Sequence, residues 1–316
     1  MNIVILDRRS LGDDTPVSSL AELGNLTVYD ETRSEDIVAR LVCADVVVIN
    51  KVRLTAEILA QCPTLRLICL FATGYDNVDV AAARERGIAV CNVPGYSTES
   101  VALFTVSTVL ALASHLFEYN AFVKSGEYSA SGAPNRLTPV YHELRGKVWG
   151  IVGLGNIGSR VAELATALGA KVIVNKRTPT DKYTWVDIDT LCRESDIITL
   201  HCPLNGESRA MINEKRLSLM KPDVILVNEA RGGVVDESAV ANAVADGRIA
   251  AFGSDVYSTE PFGQSHPYYD IMGRDNVILT PHAAWGSYES RLRCIGIIRQ
   301  NIDSFLSGKS LNRVDI

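Results

Sequence analysis

Lys147-Val148-Trp149-Gly150-Ile151-Val152-Gly153-Leu154-Gly155-Asn156-Ile157-Gly158 is an apolar run that passes through three spaced glycines into a helical pattern. That order predicts a buried strand, a tight turn and a helix N-terminus, which together offer backbone N–H groups to a dinucleotide pyrophosphate. The glycines serve different ends. Gly153 permits the turn, Gly155 lets phosphate approach the backbone, and Gly158 lets the helix beginning near Ile157 lie close to the strand. A Gly-x-Gly-x-x-Gly spacing alone also occurs in ordinary loops. Here the strand before it, and Val161, Leu164, Ala165 and Leu168 after it, supply the required context.

On both sides of this motif, short β-like runs alternate with amphipathic helical stretches. Residues 3–6, 26–29, 46–49, 67–71 and 89–91 precede it, and 172–174, 197–200, 224–227, 250–254 and 277–279 follow it. Alternation of this kind implies parallel sheets with helices on both faces. The expected fold is therefore α/β, with two doubly wound parallel-sheet domains, one flavodoxin-like and one Rossmann-type, and a cleft between them. A helix over 99–124 and a loop-rich arm over 125–139 separate the two series. The last helix, 288–306, comes after the second sheet is complete and is expected to pack back on the first. The expected division is 1–98 with 288–316 as the substrate domain, and 99–287 as the dinucleotide domain with the helix and arm.

Composition narrows the function. The 31 Lys and Arg residues against 37 Asp and Glu give a mildly negative, well-mixed chain, without the electrostatic footprint of a nucleic-acid binder. Seven cysteines are scattered with no Cys-x-x-Cys pair, which suggests neither a disulfide framework nor a zinc site and suits a cytoplasmic protein. Met1–Asp7 reads as a first strand and not as a signal peptide. The most membrane-like stretch, 101–116, is short and interrupted by Thr105, Ser107, Thr108, Ser114 and His115, so it reads as a buried helix. Its apolar positions run nearly all the way round, which calls for cover from both domains or from a second subunit.

In folds that prefer NAD, an Asp or Glu at the end of the strand after the glycine motif accepts hydrogen bonds from the adenosine ribose. The strand here ends in Asn175-Lys176-Arg177-Thr178. Arg177 can fork onto a 2′-phosphate, Lys176 adds charge and Thr178 can donate a hydroxyl, so NADP(H) is favoured and NAD(H) remains possible. The other reading leaves Lys176 and Arg177 as a solvated pair.

Three later segments each follow an expected strand: Asn228-Glu229-Ala230-Arg231-Gly232-Gly233, Asp255-Val256-Tyr257-Ser258-Thr259-Glu260-Pro261 and Thr280-Pro281-His282-Ala283-Ala284-Trp285. Loops beyond the carboxyl ends of parallel strands converge, so Arg231, Glu260 and His282 are expected to meet although far apart in sequence. Arg can hold a carboxylate, His can pass a proton to a carbonyl oxygen, and Glu can orient the imidazole.

With Ala72-Thr73-Gly74-Tyr75-Asp76-Asn77-Val78-Asp79, Asn92-Val93-Pro94-Gly95-Tyr96-Ser97-Thr98-Glu99 and His201-Cys202-Pro203-Leu204, these motifs make the chain resemble the D-2-hydroxyacid dehydrogenases along nearly its whole length. The nearest branch is that of glycerate dehydrogenase and hydroxypyruvate reductase. The resemblance implies NAD(P)H-dependent reduction of a small 2-keto acid of the hydroxypyruvate or glyoxylate type, with His282 as proton donor in a triad with Arg231 and Glu260. It implies that Thr73, Gly74, Arg231 and Trp285 bind substrate. Cofactor contacts fall on Gly153, Gly155, Asn156, Ile157, Gly158, Lys176, Arg177, Thr178, Cys202, Pro203, Glu229, Ala230, Arg231, Asp255 and His282, with no metal. It also implies a homodimer built on the helix and arm. Three departures stand out: Leu103 replaces a usual Gln or Glu, Glu229 replaces a small residue, and Asn175-Lys176 replaces an aromatic-Asp pair. A phosphoglycerate dehydrogenase-like enzyme, and a cofactor-sensing binding module with little turnover, remain as alternatives.

Overall fold

The computed structural model describes all 316 residues. They form two compact units, Met1–Ser97 with Gly286–Ile316, and Thr98–Trp285. The chain therefore crosses between units twice.

The first unit carries β1 (Asn2–Ile5), β2 (Asn25–Val28), α1 (Ile37–Leu41), β3 (Val46–Ile49), α2 (Ala56–Ala60), β4 (Leu67–Leu70), α3 (Val80–Glu85) and β5 (Ala89–Cys91). Its five strands are all parallel, in the order β2-β1-β3-β4-β5. The Val-Val-Val-Ile of β3 is buried at every position, as expected of a central parallel strand covered on both faces. Asp7, just past β1, accepts the backbone N–H groups of Asn50 and Val52 at 3.0 Å and of Lys51 at 2.5 Å, which ties the ends of β1 and β3 together.

The second unit carries α4 (Thr98–Ala113), α5 (Leu116–Lys124), α6 (Glu127–Ser131), β6 (Val148–Val152), α7 (Asn156–Ala167), β7 (Lys171–Asn175), β8 (Thr184–Trp185), α8 (Ile188–Glu194), β9 (Ile197–Leu200), α9 (Glu214–Leu217), β10 (Ile225–Asn228), α10 (Glu237–Ala245), β11 (Ala251–Ser254) and β12 (Val277–Leu279). The seven parallel strands run β12-β11-β10-β9-β6-β7-β8. The order reverses between β6 and β9, the switch point where open α/β sheets bind ligands beyond their carboxyl ends. One face packs on α4 and α7 through Ala102, Val109, Trp149, Ile151, Val161 and Val227. The other packs on α8, α9 and α10 through Leu191, Leu217, Leu226, Val240 and Phe252. Trp149 is fully buried, and its indole N–H donates to Thr199 Oγ1 at 3.1 Å.

The last helix, α11 (Tyr288–Leu306), returns to the first unit and packs on β4. Its buried residues, Ser290, Cys294, Ile295, Ile298, Asn301 and Ile302, form one helical stripe. Asn301 also donates to the Asn92 carbonyl at 2.9 Å.

Two local expectations change. The stretch 99–124 is not one helix: α4 ends at Ala113, His115 turns left-handed at φ 50°, and α5 departs at 62°. Ser114 returns its hydroxyl to the Leu110 carbonyl at 2.7 Å, which satisfies a carbonyl at the helix end. His115 is thus the joint between two helices. The arm 125–139 is not all loop, since α6 forms between Gly126 and Gly132, both left-handed. No single helix is long and apolar enough to cross a membrane.

Close packing of α4 on the sheet depends on a missing side chain. A Cβ on Gly253 in β11 would stand 2.5 Å from Thr108 Cγ2 and 3.3 Å from Val227 Cγ2. Gly253→Ala should therefore force α4 off the sheet and destabilise the second unit by about 1–3 kcal/mol. Thermal or urea unfolding measures this, and an unchanged midpoint would show that α4 moves without cost.

Candidate active site

The glycine loop is built at the switch point. Gly153 leaves β6 at φ +91°, and a Cβ there would lie 2.6 Å from the Cys202 amide nitrogen just beyond β9. A Cβ on Gly158 would run into the Gly153 carbonyl oxygen, so α7 can sit this close only with glycine. Gly155 differs: it is exposed, and a Cβ there would meet nothing within 4 Å. The open space lies before the first turn of α7, a twelve-residue helix whose leading amides, at Asn156, Ile157 and Gly158, have no intrahelical acceptor. Free N–H groups with the positive end of a helix dipole suit a phosphate anion, so the loop fits a dinucleotide pyrophosphate.

At the end of β7 the side chains point several ways. Asn175 Nδ2 donates to the Val186 carbonyl at 2.9 Å, and Trp185 Nε1 donates to the Lys176 carbonyl at 3.0 Å. Thr178 and Arg177 are exposed. Arg177 Nε stands 3.8 Å from Glu207 Oε2, with both side chains about four-fifths exposed. Glu207 comes from the loop after β9, and nothing in the sequence around Arg177 announces it.

The three later loops leave the ends of β10, β11 and β12, which are adjacent in the sheet. His282 Nδ1 lies 2.6 Å from Glu260 Oε2, and Glu260 Oε1 accepts the Tyr257 N–H at 3.0 Å. With Nδ1 engaged by the carboxylate, Nε2 is the nitrogen left for exchange with a ligand. His282 itself is left-handed, at φ 54°. Arg231 is half-buried on the neighbouring loop, and its Nη1 donates to the Ala230 carbonyl at 2.8 Å. Gly232 follows it and lies so close to the Tyr257–Ser258 backbone that a Cβ would collide with it. Thus Glu260 and His282 are in direct contact, and Arg231 is carried by a loop pressed against the one bearing Glu260.

Asp255 organises the His282 loop. Its Oδ1 accepts Thr280 Oγ1–H at 2.7 Å and Ala283 N–H at 2.8 Å, and its Oδ2 accepts Ala284 N–H at 2.9 Å. Burial raises its carboxyl above the ordinary range, while these donors and the nearby His282 pull it back. Three donors spanning residues 280–284 fix the turn in which His282 sits.

Sequence reading also missed a second histidine–carboxylate pair. His266 is buried: Nδ1 accepts the Tyr268 N–H at 3.2 Å, and Nε2 lies 3.0 Å from Glu237 Oε2. Glu237, at the start of α10, also accepts the Ser258 N–H at 2.8 Å and the Ser258 hydroxyl. This cluster anchors the excursion that carries Glu260.

Other site candidates lie along the same sheet edge. Cys202 is half-buried, and burial pushes its thiol up to about 11, so it is not a thiolate near neutral pH. The exposed Pro203 gives its carbonyl to Ser208 Oγ at 2.6 Å, and the Ala230 amide donates to Asn228 Oδ1 at 3.1 Å. Both ring nitrogens of His201 are buried without a hydrogen-bond partner, as is Glu229 Oε2. Burial pushes His201 down to about 3. Burial first, and then the Asp255 charge, push Glu229 well above the usual carboxylate range. Trp285 is half-buried at the end of the unit.

In the first unit, Thr73 and Gly74 follow β4. Thr73 Oγ1 donates to the Val93 carbonyl at 2.8 Å, and Asn92 Nδ2 donates to the Thr73 carbonyl at 2.7 Å. This bracing leaves the amides of Thr73 and Gly74 without an acceptor in the chain.

Residues 106–284 match the family described as D-isomer specific 2-hydroxyacid dehydrogenase, NAD binding domain. A hydroxypyruvate reductase of Blautia hydrogenotrophica is 36% identical over 100% of both chains. A glyoxylate reductase of Aeropyrum pernix is 40% identical over 81% of this chain and 78% of its own. Among solved structures, a D-lactate dehydrogenase from Aquifex aeolicus, complexed with NAD and lactic acid, superposes with a TM-score of 0.89 at 28% identity, covering 100% of this chain and 99% of that one. An acyclic imino acid reductase in complex with NADPH and D-Arg gives a TM-score of 0.87 at 31% identity, covering 99% and 100%.

The two helix-start glycines should separate cleanly on substitution. Gly158→Ala should lower the melting temperature, because the methyl strikes backbone, at a cost of about 1–3 kcal/mol. Gly155→Ala should leave stability nearly unchanged and weaken dinucleotide binding roughly tenfold, because its Cβ intrudes only on the space for phosphate. Melting curves with and without cofactor, alongside a binding titration, give both readouts, and the same pattern for the two variants would refute the division.

Proposed function

The chain belongs to the D-isomer specific 2-hydroxyacid dehydrogenases, oxidoreductases acting on CH–OH donors with a nicotinamide dinucleotide. We propose that it reduces hydroxypyruvate, glyoxylate or a 2-keto acid of similar size to the D-2-hydroxy acid. The bond between His282 and Glu260, at the carboxyl edge of a dinucleotide-type sheet, carries this reading. A bound nicotinamide supplies the hydride. His282 gives a proton from Nε2 to the substrate oxygen in reduction and takes it back in oxidation, while Glu260 on Nδ1 stabilises the charged imidazole. Arg231 polarises the carbonyl and pairs with the carboxylate, which suits a planar fork. The amides of Thr73 and Gly74 bind the substrate carboxylate, and Trp285 shapes the space for its side chain. Asp255 keeps His282 in place through the 280–284 turn.

Gly153 to Gly158 hold the pyrophosphate, and Cys202, Pro203, Glu229 and Ala230 line the nicotinamide half. For the adenosine half we favour NADPH, held by Lys176, Arg177 and Thr178. Glu207 competes for Arg177, but an exposed pair of this kind is worth no more than about 1 kcal/mol, so a 2′-phosphate can displace it.

The second unit leaves Leu116, Phe117, Leu137, Val140 and Tyr141 exposed around α5 and the arm, with Leu103 and Leu110 exposed on α4. A second copy of the chain is the proposed cover for these apolar side chains. All seven cysteines are free, which suits the proposed cytoplasmic location.

His282→Ala should reduce kcat with hydroxypyruvate by about 10²–10⁴ and leave cofactor affinity within about twofold. Single-turnover kinetics and cofactor titration test this, and wild-type protein that binds cofactor but turns over no 2-keto acid would overturn the enzymatic reading. Arg177→Ala should raise the KM for NADPH roughly tenfold and leave that for NADH unchanged, while Glu207→Gln should lower the former. Equal effects on both coenzymes would remove the phosphate assignment. Light scattering should give twice the chain mass of 34.3 kDa, and Phe117→Asp combined with Leu137→Asp should halve it; a wild-type monomer would dispose of the dimer.

A further inference from the structure

Tyr257 lies on the loop that carries Glu260 and also reaches the loops that carry Arg231 and His282, each contact through a different group. Its amide donates to Glu260 Oε1 at 3.0 Å. Its phenolic oxygen sits between two main-chain carbonyls, 2.7 Å from that of Thr280 and 3.2 Å from that of Ser254. A phenol has one hydrogen to give, and the shorter contact takes it. Its carbonyl carbon borders Gly232, the residue after Arg231, so closely that a Cβ there would stand 2.0 Å away.

The Thr280 carbonyl is where the His282 turn begins. The His282 amide donates to the same oxygen at 3.0 Å, closing a three-residue turn around Pro281 that leads into the left-handed His282. A carbonyl oxygen has two lone pairs, so it holds the turn amide and the phenol together. Asp255 grips this loop through the Thr280 hydroxyl and the amides of Ala283 and Ala284, but none of those bonds involves the Glu260 carboxylate. Tyr257 acts on both sides. At one end it holds Glu260 Oε1, and at the other the carbonyl from which the turn springs. Between the two grips lies the 2.6 Å contact of Glu260 Oε2 with His282 Nδ1. The ring is braced in turn: it meets Phe262, His266 and Tyr268 edge-on at centroid distances of 4.7, 6.0 and 6.2 Å, and Tyr268 is fully buried.

We propose that the Tyr257 hydroxyl positions the proton-transfer pair: by tying the Thr280 carbonyl to the residue whose amide holds Glu260, it sets the distance and direction between Glu260 and His282. Tyr257 is a positioning residue, acting on the reacting oxygen only through the imidazole. Hydrogen bonds weaken steeply with misalignment, so Glu260 supports a charged imidazole only while the two loops keep this spacing. Ring packing, which phenylalanine supplies equally, keeps the loop folded; the hydroxyl adds the tie across to the His282 loop. This role rests on the dehydrogenase reading above, which gives His282 the proton to transfer.

The test is Tyr257→Phe, alone and combined with Glu260→Gln, read by the single-turnover rate of coenzyme oxidation with hydroxypyruvate or glyoxylate. Tyr257→Phe should slow that rate roughly fivefold, the worth of about one hydrogen bond, and leave coenzyme affinity within about twofold of wild type. In the Glu260→Gln background the same change should slow it by less than about 1.5-fold, because the pair that the hydroxyl positions is already impaired and groups acting as one unit are not additive. Replacing Tyr257 by p-aminophenylalanine, which restores a donor at the same place, should return most of the lost rate. A Tyr257→Phe rate equal to wild type, a loss that repeats in full in the Glu260→Gln background, no recovery with the amino group, a coenzyme affinity that falls with the rate, or a Tyr257→Phe chain that does not fold would each overturn the assignment. Wild-type protein that turns over no 2-keto acid removes the dehydrogenase reading and this role with it, whereas an active wild type matched by Tyr257→Phe removes the role alone.

Discussion

A buried carboxylate, Asp255, sets the conditions for the rest of the site. Its two oxygens collect one hydroxyl and two amide donors from Thr280, Ala283 and Ala284, and so close the turn after β12. That turn puts His282 into a left-handed conformation, which a residue other than glycine adopts at a cost. Hydrogen bonds to a charged acceptor are worth about 1.5–3 kcal/mol each, enough to hold such a turn. With the imidazole placed, its Nδ1 meets Glu260, whose own loop is fastened by Glu237, Ser258 and His266. The contact between His282 and Glu260 therefore rests on two acidic anchors, Asp255 just past β11 and Glu237 at the start of α10.

These loops can cooperate because the sheet is parallel throughout. Every strand delivers its following loop to the same edge, and the register aligns the first residue beyond each. Such convergence demands close approach. Gly153 abuts the backbone at Cys202, Gly232 abuts Tyr257, and Gly253 admits Thr108 of α4. Three absent side chains thus bring together the turn between β6 and α7, the loops bearing Arg231 and Glu260, and the helix that backs them.

Much of this was legible in advance. The apolar run into Gly153, Gly155 and Gly158 announces a strand, a turn and a helix, and the structure places a left-handed turn at Gly153 and a close helix approach at Gly158. Both sheets follow from the alternation of buried runs with amphipathic stretches, because a central parallel strand must be apolar on both faces. Other features were opaque. The break at His115 turns on one left-handed residue within a continuous helical pattern, and the two-residue β8 is held by its ladder to β7 and by the Trp185 indole on the Lys176 carbonyl. Glu207 reaches Arg177 from a loop some thirty residues away, and the engagement of His266 with Glu237 leaves no trace in local spacing.

The sequence by itself determined the parallel α/β architecture, the dinucleotide turn and the three loops bearing Arg231, Glu260 and His282, because strand burial, glycine geometry and residue chemistry are local properties of the chain. Only the tertiary structure decided which polar groups satisfy one another: that Asp255 is engaged by the His282 turn, that Glu260 holds Nδ1, and that Glu229 keeps an oxygen without a partner. Hydrogen-bond satisfaction depends on strand register and desolvation between segments remote in sequence, and neither exists until the sheet has formed.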